Sequence, residues 1–210
     1  MTPSLPLTRP HAARLAAAAI WLATCAQAVV AYLTFGLAGQ VDPMRDPVSD
    51  YVFHRIGKPL FVVAVLMVLT CGAALATAAH LAGVPRTTGV TVLFGLWAAG
   101  LVVVLLFQGN VSATDPTVQG EIHKGGGAVL FTSLPLACWA LARALRRSLR
   151  WTGAARRLGW CAAGGFVTAA AFGLAQFVPV LPEGLLERVA LTAELVILVT
   201  AATIVRRPVR

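Results

Sequence analysis

The sequence predicts an all-α, polytopic membrane protein: a six-transmembrane-helix bundle built of three hairpins, with the N and C termini cytoplasmic. Three observations predict it. Of the 210 residues, 58% are hydrophobic and 12% charged, where a soluble globular domain carries about 25% charged residues. Six apolar stretches recur, at roughly 12–38, 60–83, 89–108, 125–144, 158–179 and 185–205. Each is near or above the ~20 residues a helix needs to cross ~30 Å of hydrocarbon. The charges are also segregated between alternate connections. Strand-like alternation is absent, and Ala, Leu and Gly dominate, which favours helices over a barrel.

The first stretch follows Arg14 and passes through "ATCAQA", the outline of a signal peptide. Its apolar run continues to Gly39, too long for a signal-peptide core, so an uncleaved first helix is expected. Residues 39–59 join helices 1 and 2, and 109–124 join helices 3 and 4. Residues 180–185 join helices 5 and 6. The links on the other side are "VPRTTG" (84–89) and the Arg-rich "RRSLRWTGAARR" (146–157). Residues 1–210 read as a single membrane domain with no separate soluble part.

With the N-terminus inside, the inner segments hold Arg9, Arg14, Arg86, Arg143, Arg146, Arg147, Arg150, Arg156, Arg157, Arg206, Arg207 and Arg210, and no acid. The outer segments hold five cations and Asp42, Asp46, Asp50, Asp115, Glu121, Glu183 and Glu187. This follows the positive-inside rule. The net charge of +9 is thereby assigned to anionic lipid headgroups, and nucleic acid is not an expected partner. The expected home is a cell membrane, specifically a bacterial plasma membrane. The partners expected are the lipid bilayer and an amphipathic small molecule or lipid.

Cys25, Cys71, Cys138 and Cys161 fall in apolar stretches without a CxxC pair, and read as small core residues. No HxxxH or HExxH spacing occurs, so no metal site is expected. The sequence specifies no cofactor. Asn110-Val111-Ser112 matches a glycosylation sequon, a weak signal standing alone.

Two outer connections share a pattern. Asp46-Pro47 is followed by His54-Arg55 and Gly57, and Asp115-Pro116 by His123-Lys124 and Gly126, at equal offsets. Internal repeats are common in membrane folds, and sites often lie where the repeats meet. Capping explains the same residues, since Asp-Pro marks turns and helix starts. Carboxylates and imidazoles together also suit acid/base work. The candidate catalytic residues are Glu194, Asp46, Asp50, His54, Asp115 and His123. The candidate substrate-binding residues are Ser49, Lys124, Gln108, Gln176 and Arg188. Ser49 is either a nucleophile beside His54 or His123 or a helix cap.

Glu194 is the one acid in the interior of an apolar stretch, near the middle of helix 6, whereas Glu187 stands at that helix's entrance. Ionised there, it costs at least ~2.5–3.5 kcal/mol on insertion scales, so such residues usually face a cavity and act. Its expected partners are Gln27, Gln108, Thr132, Ser133, Thr168 and Gln176. His80 reads as an interfacial residue, and the five tryptophans as core or interface anchors.

The stretches "DPMRDPVSDY", "FQGNVSATDP", "GEIHKGGGAVLF" and "EGLLERVALTAELVIL" resemble the DUF998 family of small polytopic membrane proteins, over nearly the whole chain. The resemblance implies the six-helix layout and singles out Asp46, Pro47, Ser49, Asp115, Pro116, Gly120, His123, Leu186, Arg188 and Val189. The chain departs at Gln119, where many members carry histidine, and at Glu194, where a small or neutral residue is the pattern. "PVSDYVFHRIGKPLF" is remotely similar to the Frag1/DRAM/Sfk1 membrane proteins, which keeps lipid handling in view.

Two functions follow as expectations. One is a membrane-embedded enzyme acting by acid/base chemistry on a lipid-like or isoprenoid substrate at an outward-facing polar site. The other is a transporter or lipid-handling protein using Glu194 and outer acids as a proton or cation path, beside a non-catalytic accessory role. An enzyme predicts an apolar cavity of ligand size on which several polar groups converge. A transporter predicts polar residues on both sides of the membrane.

Overall fold

The computed structural model describes residues 8–110, 116–148 and 151–206. Its six long helices are α1 (Thr8–Gly36), α2 (Gly57–Leu81), α3 (Thr88–Leu106), α4 (Val118–Leu145), α5 (Thr152–Ala175) and α6 (Glu183–Arg206). A short 3-10 helix, Val48–Phe53, lies between α1 and α2. No strand occurs among the described residues. All six long helices are long and apolar enough to span a membrane, and the protein is a multi-pass membrane protein of six spans.

The three expected hairpins form: α1 on α2, α3 on α4, α5 on α6. They close around α6, which also touches α1, α2 and α4. By contrast α2 and α3 meet only lightly, and that loose seam matters below.

In lipid, helices gain nothing by hiding apolar surface from one another, so close packing decides their contacts. Ala12, Ala16, Ala19, Ala23 and Ala26 are all buried along one face of α1. The thiol of Cys71 donates to the Ala19 carbonyl at 3.2 Å, so the cysteine serves as a small packing residue there. On α3, a Cβ at Gly100 would sit 2.8 Å from the Gly126 carbonyl oxygen and 2.9 Å from the Leu130 nitrogen of α4. Backbone meets backbone at that point.

This packing corrects one boundary. The apolar stretch 125–144 predicts a start for helix 4 near 125, and glycines there are poor helix formers, each costing about 1 kcal/mol relative to alanine. The helix begins at Val118 instead. Thr117 caps it, its hydroxyl accepting from the Gly120 N–H at 3.0 Å. Asn110 Oδ1 accepts from the Thr117 N–H at 2.8 Å and its hydroxyl at 3.0 Å. The capping bonds and the fit of Gly126 against Val103 outweigh propensity. Glu121, His123 and Lys124 are therefore helical residues. At the other end α5 starts at Thr152 and takes Arg156 and Arg157 into its first turns, as long basic side chains allow by reaching toward headgroups.

Gly100→Ala is expected to lower stability by about 1–3 kcal/mol, since overpacking against backbone has no easy relief. Gly125→Ala, next in sequence to Gly126 but open to space, is expected to be neutral or stabilising. Thermal unfolding of both variants in detergent checks the contrast; equal effects would refute the packing account.

Candidate functional site

Arg188 organises the end of the bundle that carries the acids. It sits in the second turn of α6 and is only 7% exposed. Its Nη1 donates to the carbonyls of Asp46 and Gly184, both at 2.8 Å. Its Nε donates to Thr34 Oγ1 of α1 at 3.1 Å, and Nη2 reaches the Tyr51 hydroxyl at 3.4 Å. The guanidinium also lies 5.8 Å from the Tyr51 ring centroid. One side chain thus joins α1, the 42–46 loop, the 3-10 helix and α6.

Glu187, equally buried, accepts the Val48 N–H at 2.5 Å through Oε2. This satisfies a free donor at the start of the 3-10 helix. The Asp46 carboxylate accepts the Asp42 N–H at 2.8 Å, and Met44 O accepts the Leu185 N–H at 3.2 Å. The loop is pinned to the first turn of α6, and glycine is required at 184, where a Cβ would strike the Asp46 backbone. These groups are occupied in holding the structure together.

Asp50 differs. It is half-buried in the 3-10 helix, and its carboxyl is pushed up from 3.8 to about 6. Burial is the largest cause, the negative neighbours Asp46 and Glu183 add to it, and Arg188 pulls the other way.

Ser49 and His123 both approach Gly109. A Cβ at Gly109 would lie 3.6 Å from Ser49 Oγ and 3.9 Å from His123 Nε2. Both atoms are therefore within contact of one point, left open because residue 109 has no side chain. His123 Nδ1 lies 2.7 Å from the Phe107 carbonyl. A carbonyl only accepts, so Nδ1 carries the proton and Nε2 offers a lone pair in the neutral ring. The two connections do converge here.

They are not, however, equivalent helix entrances. His54 follows the 3-10 helix and precedes α2, whereas His123 lies inside α4. The equal sequence offsets fall on different backbones. His54 is half-buried at the rim. Lys124 forms an exposed ion pair with Glu121 at 3.2 Å. Gln108 is exposed, and Gln176 donates to Glu183 at 2.8 Å across the α5–α6 turn. Asp115, and Ser112 of the sequon, lie outside the described residues.

Glu194 is buried at the centre of the bundle, but not with the partners expected of it. Oε2 accepts the indole N–H of Trp97 at 2.8 Å, and Oε1 has no hydrogen-bond partner among the described residues. Gln27 bonds Thr192, Thr132 and Thr168 bond their own helices, and Ser133 bonds the Val129 carbonyl. Gln108 and Gln176 are exposed near the ends of their helices. Trp97 was readable only as a core anchor, because an indole in an apolar helix carries no sign of its hydrogen bond.

Between α2, α3, α4 and α6 lies a cavity of about 160 Å³. Leu75, Phe94, Leu134, Cys138, Ile197 and Ala201 help to line it, and Arg86 reaches its wall. It occupies the loose α2–α3 seam at the arginine-rich end. Ile197 and Leu198 of its wall stand one helical turn from Glu194, and the Phe94 ring packs 5.0 Å from Trp97. No polar cluster converges on it, and nothing in the sequence distinguishes its lining from ordinary core.

The DUF998 family, proteins of unknown function, matches residues 15–204. The chain belongs to this family. No curated protein and no solved structure matches it. Of the DUF998 positions singled out above, Arg188 and Asp46 meet through a hydrogen bond, and Ser49 and His123 share the Gly109 point.

The Asp50 shift has a sign. The folded state holds this proton more tightly than the unfolded chain does, so the group favours folding most below pH 3.8. That contribution is lost as pH rises toward about 6. Asp50→Asn should flatten the pH dependence of stability across that window. Unfolding midpoints in detergent at a series of pH values would show it, and an unchanged slope would contradict the assignment.

Proposed function

We propose that the protein is a lipid-handling membrane protein that takes an apolar chain into the cavity between α2, α3, α4 and α6. The carrying observation is the cavity itself, with its apolar lining and its place beside the lightly packed α2–α3 seam. A dry cavity of ~150 Å³ lined by Leu, Ile and Phe takes up a molecule the size of benzene, so about 160 Å³ suits a segment of chain rather than a whole lipid. The seam opens toward the surrounding lipid through Ala76 and Thr91, both exposed. The arginine-rich end, where the cavity lies, faces the cytoplasm on the charge count.

Ala201→Phe, which places a ring in the cavity, should abolish co-purification of a tightly held lipid while leaving the fold intact. Mass spectrometry of lipids extracted from gently purified protein measures this. Retention of the same lipid at the same stoichiometry would sink the reading.

A second reading has its own observation. His123 offers Nε2 toward the point that Ser49 Oγ also faces, which supports acyl transfer at the acid-bearing end. Ser49 Oγ would attack an ester carbonyl, its proton passing to His123 Nε2 and then to the leaving alcohol. Wild-type protein should then be labelled by a fluorophosphonate probe, and Ser49→Ala and His123→Ala should not. Absence of labelling in folded wild-type protein would rule this reading out.

A further inference from the structure

We propose that the cavity's occupant is one acyl chain of an anionic phospholipid, whose phosphate is held by Arg86 at the mouth between α2 and α3. This rests on the reading of the cavity as a lipid site and names the lipid class.

The mouth is built by two helix ends. At the close of α2, Gly83 has φ +67°, a left-handed conformation that glycine adopts freely. The Gly83 N–H bonds the His80 carbonyl at 3.1 Å, and the Val84 N–H bonds the Ala79 carbonyl at 3.0 Å. This double cap turns the chain sharply and lays Val84 against the cavity wall. At the start of α3, Thr87 caps the helix by accepting the Val90 N–H at 3.3 Å. Arg86 is held between the two caps. Its Nη2 donates to His80 Nδ1 at 2.9 Å, which fixes the head of an otherwise flexible side chain.

A guanidinium has five donors, and the His80 bond uses one. Arg86 is exposed and also lines the cavity, so its remaining donors are available beside the opening. Arginine's planar fork matches phosphate oxygens. The positive end of the α3 dipole begins two residues on. Leu145 and Val205, also in the cavity wall, immediately precede Arg146 and Arg206. An occupant with a cationic headgroup would meet the positive charge of Arg86 and of the α3 N-terminus.

The membrane setting makes this charge decisive. A chain entering from the bilayer leaves one apolar medium for another, so its transfer supplies little selectivity. Discrimination between lipids falls to the headgroup contact at the mouth.

Trp97 provides a reporter. It is 1% exposed, so bulk lipid does not touch it, and it packs on Phe94 of the cavity wall. A variant with Trp21, Trp139, Trp151 and Trp160 changed to Phe would be placed in nanodiscs containing phosphatidylglycerol or phosphatidylcholine brominated in the acyl chain. The expected result is Trp97 quenching several-fold stronger with phosphatidylglycerol at equal bromine content. Arg86→Ala should remove the difference, and Ala201→Phe should remove the quenching. Equal quenching by the two lipids, still blocked by Ala201→Phe, would overturn the anionic-phospholipid inference and leave the lipid-handling reading standing. No quenching by either lipid would overturn both. Quenching by a brominated fatty acid that outcompetes phosphatidylglycerol would overturn the assignment to a phospholipid. Should the four-Phe variant fail to fold, native mass spectrometry of the wild-type protein from a mixed-lipid preparation reads the same preference. One retained phosphatidylglycerol, lost on Arg86→Ala, is expected. Indiscriminate retention would refute the inference.

Discussion

Four acceptors converge on the Arg188 guanidinium, and the arrangement of the acid-bearing end depends on that convergence. A cation buried near the end of a membrane span is costly unless its donors are met. Here they are met by two backbone carbonyls, a threonine hydroxyl and a tyrosine hydroxyl. The arrangement is directional rather than ionic, as no carboxylate lies within 4 Å of Arg188 among the described residues. Because the acceptors sit on α1, the 42–46 loop, the 3-10 helix and α6, satisfying one side chain fixes four elements at once. Glu187, the neighbouring residue, completes the same joint by taking the Val48 N–H. Removing one partner of such a buried set typically costs several kcal/mol, because the others are left unmatched. That cost explains why so polar a cluster need not be catalytic: much of its bonding capacity is spent on structure.

What remains chemically free is accordingly small. Asp50 is raised to about 6 by burial and like charge, His123 keeps a lone pair, and Ser49 faces the same open point. These three come from two connections that the sequence placed side by side through matching offsets. The match is real as a string and misleading as geometry. His54 precedes its helix, whereas His123 is carried on α4 because Thr117 and Asn110 start that helix early. Sequence comparison saw the residue types but not the capping bonds that decide where the helix begins.

Apolar length and segregated charge are long-range, additive properties, so the six spans and their pairing were legible from residue types alone. Glu194 was legible as an anomaly for the same reason. Its partner was not, because Trp97 gives no sign in the sequence that its indole N–H will point inward at a carboxylate 97 residues away. Arg188 was legible as a charge near a helix entrance, and the family resemblance marked it. Its burial depends on Thr34 and Asp46, more than 140 residues distant. The cavity left no trace at all. Leu75, Leu134, Ile197 and Ala201 look the same whether they meet a neighbouring side chain or an empty space.

The two ends of the molecule therefore differ in kind. At the acid-bearing end, polar groups close on one another and the loops are stitched to α6. At the arginine-rich end, the α2–α3 link is turned tightly by Gly83 and Thr87, yet the helices it joins touch little below it. A short link holding two helices that meet only lightly leaves a gap beside them, and in a bilayer the nearest material to fill a gap is a lipid chain. Since chain burial contributes so little discrimination in that solvent, any preference must come from fixed charge at the edge of the gap. Arg86 is the residue whose side chain both lines the space and is held in place by a bond to its own helix pair.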